Sequence, residues 1–429
     1  MPKYQKNKRR RRHSWFSFTT PDNIKMSSAD KNSQQNTAST VKEKKSKSSF
    51  KVVKGKKQTN KIKRLVFAGI LLTIISVFVI SLILLPTNLS DAVADATAGF
   101  SFKSEYPVKL NGSETYNSVL ISNHFYVVSD SDVSCYHKSG NLTFSDAHGF
   151  SYPVLCESEA RCLVYEQNGN GIHVYNSKKK LMTINSKYAI LSADISRNGY
   201  FAYASKAEKY TSMVTVCNDD GKNIFEWYCP EETINNVAVS PNGKSIAITT
   251  IFVANGKFNS KLYVLNFKSA EPVFTKEYSG EFIYGINSVN KKNFVIIGEK
   301  FCDIISWKKN EITTFNTEYS IDDVVATKSH IVIASSRENN DGNTSFEIYN
   351  NSRKKISSYV FSGPVDDFSV SGKKVYVLSR NNINMISADG VVKKKANCGF
   401  GVVKVLANSG MSSFAVSHND VAKIKLKSE

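Results

Sequence analysis

The pattern of apolar and polar residues changes twice along the chain. Residues 1–64 show scarcely any apolar periodicity, and residues 65–85 are 21 consecutive positions without charge or proline. From about residue 100, apolar and polar positions alternate in short runs separated by Asn, Gly, Lys and Ser. This alternation is typical of half-buried strands. We therefore predict an all-β domain over residues 100–429, preceded by a short polar stem at residues 86–99.

The uncharged run at residues 65–85 predicts a transmembrane helix. Its length suits a hydrocarbon core of about 30 Å. Only Thr73, Ser76 and Ser81 interrupt its apolar character, and such hydroxyls can bond to carbonyls of their own helix. A buried core helix would show a regular polar face instead.

Charge is distributed unevenly about this run. Before residue 65, 20 Lys and Arg stand against three acids, so +17 of the formal +20 lies there. Lys61, Lys63 and Arg64 directly precede the run, whereas the next basic residue is Lys103. Because basic flanks stay in the cytoplasm, we predict a single-pass protein of the cytoplasmic membrane. Its N-terminus would be cytoplasmic and its strand-built domain extracytoplasmic.

A cleaved signal peptide is the alternative interpretation of the same run. Small residues at Ala92, Ala94 and Ala96 resemble a cleavage site. The apolar run is, however, longer than the ~7 to 15 residues of a signal peptide, and a long tail precedes it. An anchor is therefore favoured over a cleaved leader.

The tail at residues 1–64 is rich in Lys, Ser, Asn, Gln and Thr, a composition that predicts disorder. Its basic clusters suit anionic lipid headgroups at the inner face of the membrane. The candidate lipid contacts are Arg9, Arg10, Arg11, Arg12, Lys61, Lys63 and Arg64. A solvated topology determinant without any partner is the alternative. Nucleic-acid binding is disfavoured, because no folded reader accompanies the charge.

A strand unit recurs through residues 100–429, which predicts the blades of a β-propeller. We count eight first strands, at intervals of 35 to 49 residues, beginning near Asn117, Tyr152, Leu191, Asn235, Tyr284, Asp322, Asp366 and Val402. The pattern favours an eight-bladed ring. Seven blades with a decorated edge are the alternative.

The two ends of this domain predict how the ring closes. The last unit contains only three strands, the third at residues 421–427, while a spare strand at about residues 100–110 precedes the first unit. Pairing of these N- and C-terminal strands would complete the last blade and protect its edges.

The clearest short motif is Ser240-Pro241-Asn242-Gly243-Lys244, echoed by a second turn at residues 196–200. It resembles the turn between the first two strands of WD40-like repeats. With its tail and apolar run, the chain resembles an uncharacterised family of membrane-anchored β-propeller proteins of Gram-positive bacteria, built from WD40-like or quinoprotein-like repeats. The resemblance implies topology and no particular activity.

The residues offer little support for catalysis. The domain has two tryptophans and no adjacent cysteines, unlike quinone-dependent dehydrogenases, and it lacks a Gly-x-Ser-x-Gly elbow. Its histidines are scattered, and its seven cysteines show no Cys-x-x-Cys spacing and are predicted to be buried hydrophobes. We predict no enzyme activity, catalytic residue, cofactor or metal.

One set of polar residues recurs on the first strands, which line the central channel of a propeller. The candidate binding residues at this channel rim are Asn117, Asp194, Asn236, Asp323 and Asp367. They could bind a cation, a sugar or a peptide end. The alternative, which we favour, is that they cap strand ends and hydrate the channel.

These features predict a non-catalytic scaffold at the cell envelope that binds a protein or other ligand. The predicted partner is an envelope protein or a wall polymer, bound in the channel mouth or on loops such as residues 252–261 and 337–344. Two alternatives remain open. One is a carbohydrate-active enzyme using carboxylates at the channel mouth, and the other is a single-pass sensor that reports through the tail.

Overall fold

The structure is a computed structural model that describes residues 59–84, 87–103, 105–112, 114–290, 293–327, 329–336, 342–350, 352–408 and 412–428. Helix α1 covers Thr59–Leu84. Neither helix of the described residues combines enough length with enough apolar character to span a membrane. Most of the predicted tail, with Arg9, Arg10, Arg11 and Arg12, lies outside the described residues, as does residue 85.

The predicted stem is largely helical, since α2 covers Thr87–Thr97. The sequence pattern did not indicate this helix, because eleven residues give too few turns for a clear apolar period. Its inward side includes Ala94, and Ala98 directly follows the helix; both are only 6% exposed. Packing against the ring therefore accompanies helix formation, as short helices generally require.

The strands form eight antiparallel sheets; six are meanders of four consecutive strands, and the other two also include β1 or β33. Strand β1 is Val108–Lys109; blade 1 is β2 (Thr115–Ile121), β3 (His124–Ser129), β4 (Asp132–His137) and β5 (Leu142–Ala147); blade 2 is β6 (Pro153–Glu157), β7 (Cys162–Glu166), β8 (Gly171–Tyr175) and β9 (Lys180–Asn185). Blade 3 is β10 (Ile190–Ile195), β11 (Phe201–Lys206), β12 (Ser212–Cys217) and β13 (Asn223–Cys229); blade 4 is β14 (Thr233–Val239), β15 (Ser245–Ala254), β16 (Lys257–Asn266) and β17 (Phe274–Ser279).

The second half of the ring repeats this order. Blade 5 is β18 (Gly285–Asn290), β19 (Asn293–Ile297), β20 (Phe301–Ser306) and β21 (Glu311–Asn316); blade 6 is β22 (Ser320–Ala326), β23 (His330–Ser336), β24 (Asn343–Asn350) and β25 (Lys355–Ser362). Blade 7 is β26 (Asp367–Ser371), β27 (Lys374–Ser379), β28 (Asn382–Ile386) and β29 (Val392–Asn397); blade 8 is β30 (Val402–Ala407), β31 (Ser412–Ser417) and β32 (Asp420–Lys425), followed by β33 (Lys427–Ser428). The eight predicted first strands are confirmed.

The ring closes through its two ends, as predicted. Strand β1 pairs with β32, with Val108 opposite Val421 and Lys109 opposite Asp420, and so supplies the fourth strand of blade 8. The paired segment is only two residues long. Strand β33 was not predicted: it leaves blade 8 and adds a fifth strand to blade 7 by pairing with β29. Leu426, just before β33, is buried between these blades and directs the chain across.

The core lies between neighbouring blades. Second and third strands pack on both sides, so they read as continuous apolar runs; β3 is buried along its whole length. Fourth strands face solvent on one side and alternate, as β25 does. All seven cysteines are unpaired and five are buried. Burial raises the pKa of the Cys135 and Cys302 thiols to about 12, so both behave as small hydrophobes.

Both predicted turns adopt the expected geometry. Gly199 and Gly243 have φ values of 83° and 59°, in the left-handed region that favours glycine. The Gly243 N–H donates to the Ser240 carbonyl at 2.8 Å and closes the turn. The Asn198 side chain then donates to the Asn242 carbonyl, which ties the two turns of blades 3 and 4 together.

Because every blade is the same meander about one axis, the turns fall on two opposite faces. We call one the helix face: it holds the turns after first strands and after third strands, and α2 packs there. We call the other the loop face: it holds the turns after second strands and the connections between blades.

Candidate functional site

The predicted channel residues all lie on first strands. Each first strand is the edge of its sheet, so its backbone groups need partners from elsewhere. The Asp194 carboxylate accepts the Val239 N–H of the next blade at 2.7 Å, and Asp367 accepts the Val405 N–H at 2.7 Å. These side chains therefore join neighbouring blades, which favours the structural alternative for both residues.

The asparagines act in the same way. Asn236 donates to the Tyr284 carbonyl of the next blade at 3.4 Å, and its neighbour Asn235 donates to the Ile283 carbonyl at 2.9 Å. Asn117 accepts a hydrogen bond from the Lys404 ammonium, which joins blade 8 to blade 1. Side chains of first strands thus connect blades at several points around the ring.

Lys404 is the centre of a charge cluster that the sequence pattern did not reveal. Its positive charge opposes the effect of burial on three carboxyl groups, those of Glu157, Asp323 and Asp367. Burial raises the pKa of Asp367 to about 6 and also raises the pKa of the other two. The only available signal was the place of Lys404 and Glu157 on first strands.

The structure brings two of the predicted residues together. Asp323 and Asp367 line one pocket of about 290 Å³ between blades 6 and 7, together with Asp322 and Asp366. Asp194 and Asn236 are not part of it. Both carboxylates already accept backbone N–H groups, from Val324 for Asp323 and from Val405 for Asp367. In the described part of the chain, no three His, Cys, Asp or Glu residues are grouped so that they could hold a metal ion.

Histidine rings serve packing. Burial lowers the pKa of His173 to about 4, and the ring bonds to the Tyr175 hydroxyl at 3.0 Å. His148 contacts the Ser129 carbonyl at 3.0 Å, and His330 contacts the Ser329 hydroxyl at 2.7 Å. These three rings are bonded to neighbouring groups of their own strands and turns, which fits a structural role.

On the helix face, α2 is held by a buried ion pair. Arg161 donates from Nε to Asp91 at 2.7 Å, and both side chains are only 5% exposed. Asn176 donates to the second oxygen of Asp91 at 3.2 Å. The guanidinium also donates to the Asp219 carbonyl at 2.9 Å, so it links α2, blade 2 and blade 3.

A second contact fixes the end of α2. The buried ring of His124 lies 2.6 Å from the Asp95 carboxylate and 3.0 Å from the Ala98 carbonyl. Side chains of Ser139 and Asn141 donate to the Gly99 carbonyl. The signal for this docked helix was the pair of aspartates at positions 91 and 95, which one helical turn places on the same side.

The loop face differs, because its exposed side chains are aromatic. Among the described residues after position 86, ten Phe and Tyr are prominently exposed, and eight of them lie on the loop face. These eight are Tyr116, Tyr152, Tyr210, Tyr228, Phe258, Phe282, Tyr284 and Phe400. The other two, Phe100 and Phe102, lie in the segment between α2 and β1.

Four of the exposed apolar residues of the loop face form what we call the blade 4–5 patch: Val253, Phe258, Phe282 and Tyr284. Val253 and Phe258 are cross-strand partners near the tip of the long β15–β16 hairpin, 63% and 68% exposed. Phe282 and Tyr284 contact edge to face at 5.0 Å. Ser260, two residues from Phe258, bonds to the backbone at residues 281 and 283, so the connection that carries Phe282 and Tyr284 lies against the hairpin strand of Phe258.

Residues 97–426 match the sequence profile of a protein family described as a family of unknown function, DUF5711. The chain belongs to the DUF5711 family. The match spans the ring from the last residue of α2 to the residue before β33. No curated protein matches the DUF5711 chain.

The ring of this DUF5711 protein is similar to the crystal structure of BamB from Moraxella catarrhalis, with a TM-score of 0.51 and 12% sequence identity. The likeness covers 75% of this chain and 96% of that chain. At this identity it shows the fold alone, and 1008 solved chains match in total, so the fold does not select a function. The predicted β-propeller fold is confirmed.

Proposed function

We propose that this DUF5711 protein is a membrane-anchored, non-catalytic scaffold whose extracytoplasmic ring binds a protein partner of the cell envelope on its loop face. The observation that carries the proposal is the asymmetry of exposed aromatic residues between the two faces. Monomeric proteins rarely leave such side chains together in water without a use. Phe and Tyr are also enriched in the centres of protein interfaces.

The blade 4–5 patch is the proposed centre of this interface. Its four side chains combine two Phe, one Tyr and one Val, all at least 39% exposed. Exposed charged residues at the hairpin tip and in the neighbouring connection, Lys257 and Glu281, provide a polar rim. An apolar centre within a polar rim is the usual anatomy of a protein interface.

The anchor is proposed from the sequence. Residues 65–85 are uncharged, and the charge of +17 before them orients the chain with its tail in the cytoplasm. The described apolar side chains of this run are exposed, including Leu65 at 72% and Leu72 at 68%, which suits contact with lipid. Protease added to spheroplasts should digest the ring and leave the tail intact. Digestion of the tail alone would contradict this orientation.

The tail is proposed to contact anionic lipid at the inner face of the membrane. Neutralising Arg9, Arg10, Arg11 and Arg12 to Gln should weaken association of the full chain with vesicles containing phosphatidylglycerol. Zwitterionic vesicles serve as the control, because electrostatic attraction requires negative headgroups. Equal binding to both vesicle types would leave the tail as a topology determinant without a lipid partner.

A second candidate function is a carbohydrate-active enzyme at the pocket of Asp323 and Asp367. The raised pKa of Asp367 favours it, since one carboxyl of such a pair must hold a proton. Their hydrogen bonds to backbone N–H groups favour a structural role instead. Replacing both Asp323 and Asp367 by Ala distinguishes an enzymatic role from a structural one. Loss of glycan cleavage with partner binding retained would support the enzyme.

The scaffold proposal is tested by photo-crosslinking in intact cells. A photoreactive amino acid at position 258 or 284 should yield one discrete adduct, whose protein partner is then identified by mass spectrometry. Position 102 is the matched control, because Phe102 is 96% exposed but lies away from the loop face. Equal labelling at all three positions, or an adduct at position 102 alone, would contradict the proposal.

A further inference from the structure

A cleft of about 540 Å³ lies between blades 2 and 3 and opens on the loop face. One wall is the side of blade 3, where strand pairing places six side chains in two rows: Tyr203, Thr215 and Glu226, then Ser205, Met213 and Tyr228. The connection after β9 forms the opposite wall and contributes Tyr188. Its volume lies within the range of small-molecule sites.

The cleft exists because blade 2 is shorter than blade 3. Strands β7 and β8 have five residues each, whereas β11 and β12 have six and β13 has seven. The loop-face end of blade 3 is therefore not covered by blade 2. On the opposite side of the same strands, Ala202, Val214 and Trp227 pack in the core against blade 4. Ser205, Met213 and Thr215 are buried at the floor of the cleft, whereas Tyr210 and Tyr228 are more than 40% exposed.

The lining combines aromatic surfaces with hydroxyl groups. The rings of Tyr210 and Tyr228 stand 5.0 Å apart at an angle of 43°. Together with Tyr188 and Tyr203 they give four phenol groups around one space, next to the Met213 thioether. A tyrosine offers an apolar face and a polar edge, so it can stack on a ligand and bond to it at once.

The charges of the cleft cancel. Lys187 pairs with Glu208 at 2.9 Å, and Glu208 also accepts from the Tyr188 hydroxyl at 2.8 Å. Glu226 accepts from Tyr228 at 2.7 Å and from Asn223 at 2.6 Å. With Lys209, two cations face two anions. Neither an anionic nor a cationic ligand finds an excess of the opposite charge.

We propose that this cleft binds a neutral carbohydrate. A sugar ring has apolar C–H faces that stack on tyrosine and hydroxyl groups around its edge. Glu226 and the phenol groups of Tyr210 and Tyr228 can exchange hydrogen bonds with those hydroxyls, and the absence of net charge suits an uncharged polyol. The cleft shares no residue with the blade 4–5 patch, so a test of carbohydrate binding does not depend on whether the protein partner proposed above exists.

The test uses the full chain in detergent and three neutral probes: maltotetraose, cellotetraose and the tetramer of N-acetylglucosamine. Saturation-transfer difference NMR and isothermal titration should detect binding of at least one probe at millimolar concentration or below. Tyr210→Ala should weaken that binding at least tenfold, because it removes a stacking surface. Glu226→Gln should weaken it less, because the amide keeps one acceptor.

Two controls make the result decisive. Tyr116→Ala removes an exposed tyrosine of the same face outside the cleft and should leave probe binding unchanged. Tetramethylammonium tests the competing chemistry of an aromatic cage for cations. The proposal is overturned if none of the sugars binds at 10 mM, if Tyr210→Ala binds as tightly as the native chain, or if only tetramethylammonium binds.

Discussion

The two faces of the ring use their special residues in opposite ways. On the helix face, a buried ion pair of Arg161 with Asp91 and a hydrogen bond between His124 and Asp95 hold the chain's own helix α2. On the loop face, aromatic side chains such as Phe258 and Tyr284 are exposed, and the ring gives them no comparable cover. The helix face therefore has an occupant within the chain, whereas no described residue covers the aromatic side chains of the loop face in the same way.

This difference also separates stability from function. A buried ion pair is costly to break, because removing one partner leaves a charge without solvent. An exposed aromatic residue contributes little to folding, and its removal should affect binding alone. Substitutions on the two faces should therefore give contrasting phenotypes.

The largest effect is expected on the helix face. Arg161→Ala leaves Asp91 buried without its charge partner and should lower the free energy of unfolding by about 3–5 kcal/mol if α2 stays docked. Release of α2 would relieve part of this cost, and amide hydrogen exchange over residues 87–97 would then rise sharply. The measurement pairs thermal unfolding with hydrogen exchange.

The control for that substitution is the double variant Asp91→Ala with Arg161→Ala. It removes both charges and should recover part of the lost stability, because no buried charge remains unpaired. A single variant that loses less than about 1 kcal/mol with unchanged exchange would show that the pair does not hold α2.

A smaller effect is expected in the channel. Burial raises the pKa of Asp194 to about 7, so between pH 4 and 7 the folded chain holds a proton that the unfolded chain has lost. Stability contributed by this group therefore falls as pH rises through that window. Asp194→Asn keeps an acceptor for the Val239 N–H and should stabilise the protein at pH 8 by on the order of 2 kcal/mol.

The pH profile provides the check on Asp194. Thermal unfolding of Asp194→Asn and the native chain should coincide near pH 4, where both side chains are neutral, and diverge as pH increases. Asn236→Asp, on the next blade, would introduce a charge and remove the donor to the Tyr284 carbonyl, so it should destabilise the folded protein at pH 8. A constant difference between Asp194→Asn and the native chain from pH 4 to 8 would refute the assigned cause.

The smallest change in stability is expected on the loop face. Phe258→Ser should shift the free energy of unfolding by no more than about 0.5 kcal/mol, because the Phe258 residue is 68% exposed. Phe414→Ser, at a fully buried position of the core, is the contrasting control and should cost several kcal/mol, about 3–5 by analogy with truncation to Ala. A large loss for Phe258→Ser would mean that the hairpin tip serves folding.

The repeat pattern was sufficient to predict the ring. Alternation and turn motifs identified all eight first strands, and the unequal number of strands at the two ends predicted closure through β1 and β32. These features are local or periodic, so they are visible in one sequence. The turn at residues 240–244 is an example, since its glycine requirement follows from the backbone alone.

Contacts between distant segments could not be predicted in this way. The pairing of Asp91 with Arg161 joins residues 70 positions apart, and the charge cluster of Lys404 collects groups from four blades. The cleft between blades 2 and 3 depends on differences of one or two residues in strand length. Such differences are smaller than the uncertainty of strand ends read from sequence.

The measurement that tests the central claim most directly is the affinity of the crosslinked partner for the full chain, with matched substitutions on and off the loop face. The double variant Phe258→Ser with Tyr284→Ser should weaken binding at least tenfold, while Phe102→Ser should bind like the native chain. Equal affinity for the native chain and the double variant would contradict the assignment of the loop face as the binding surface.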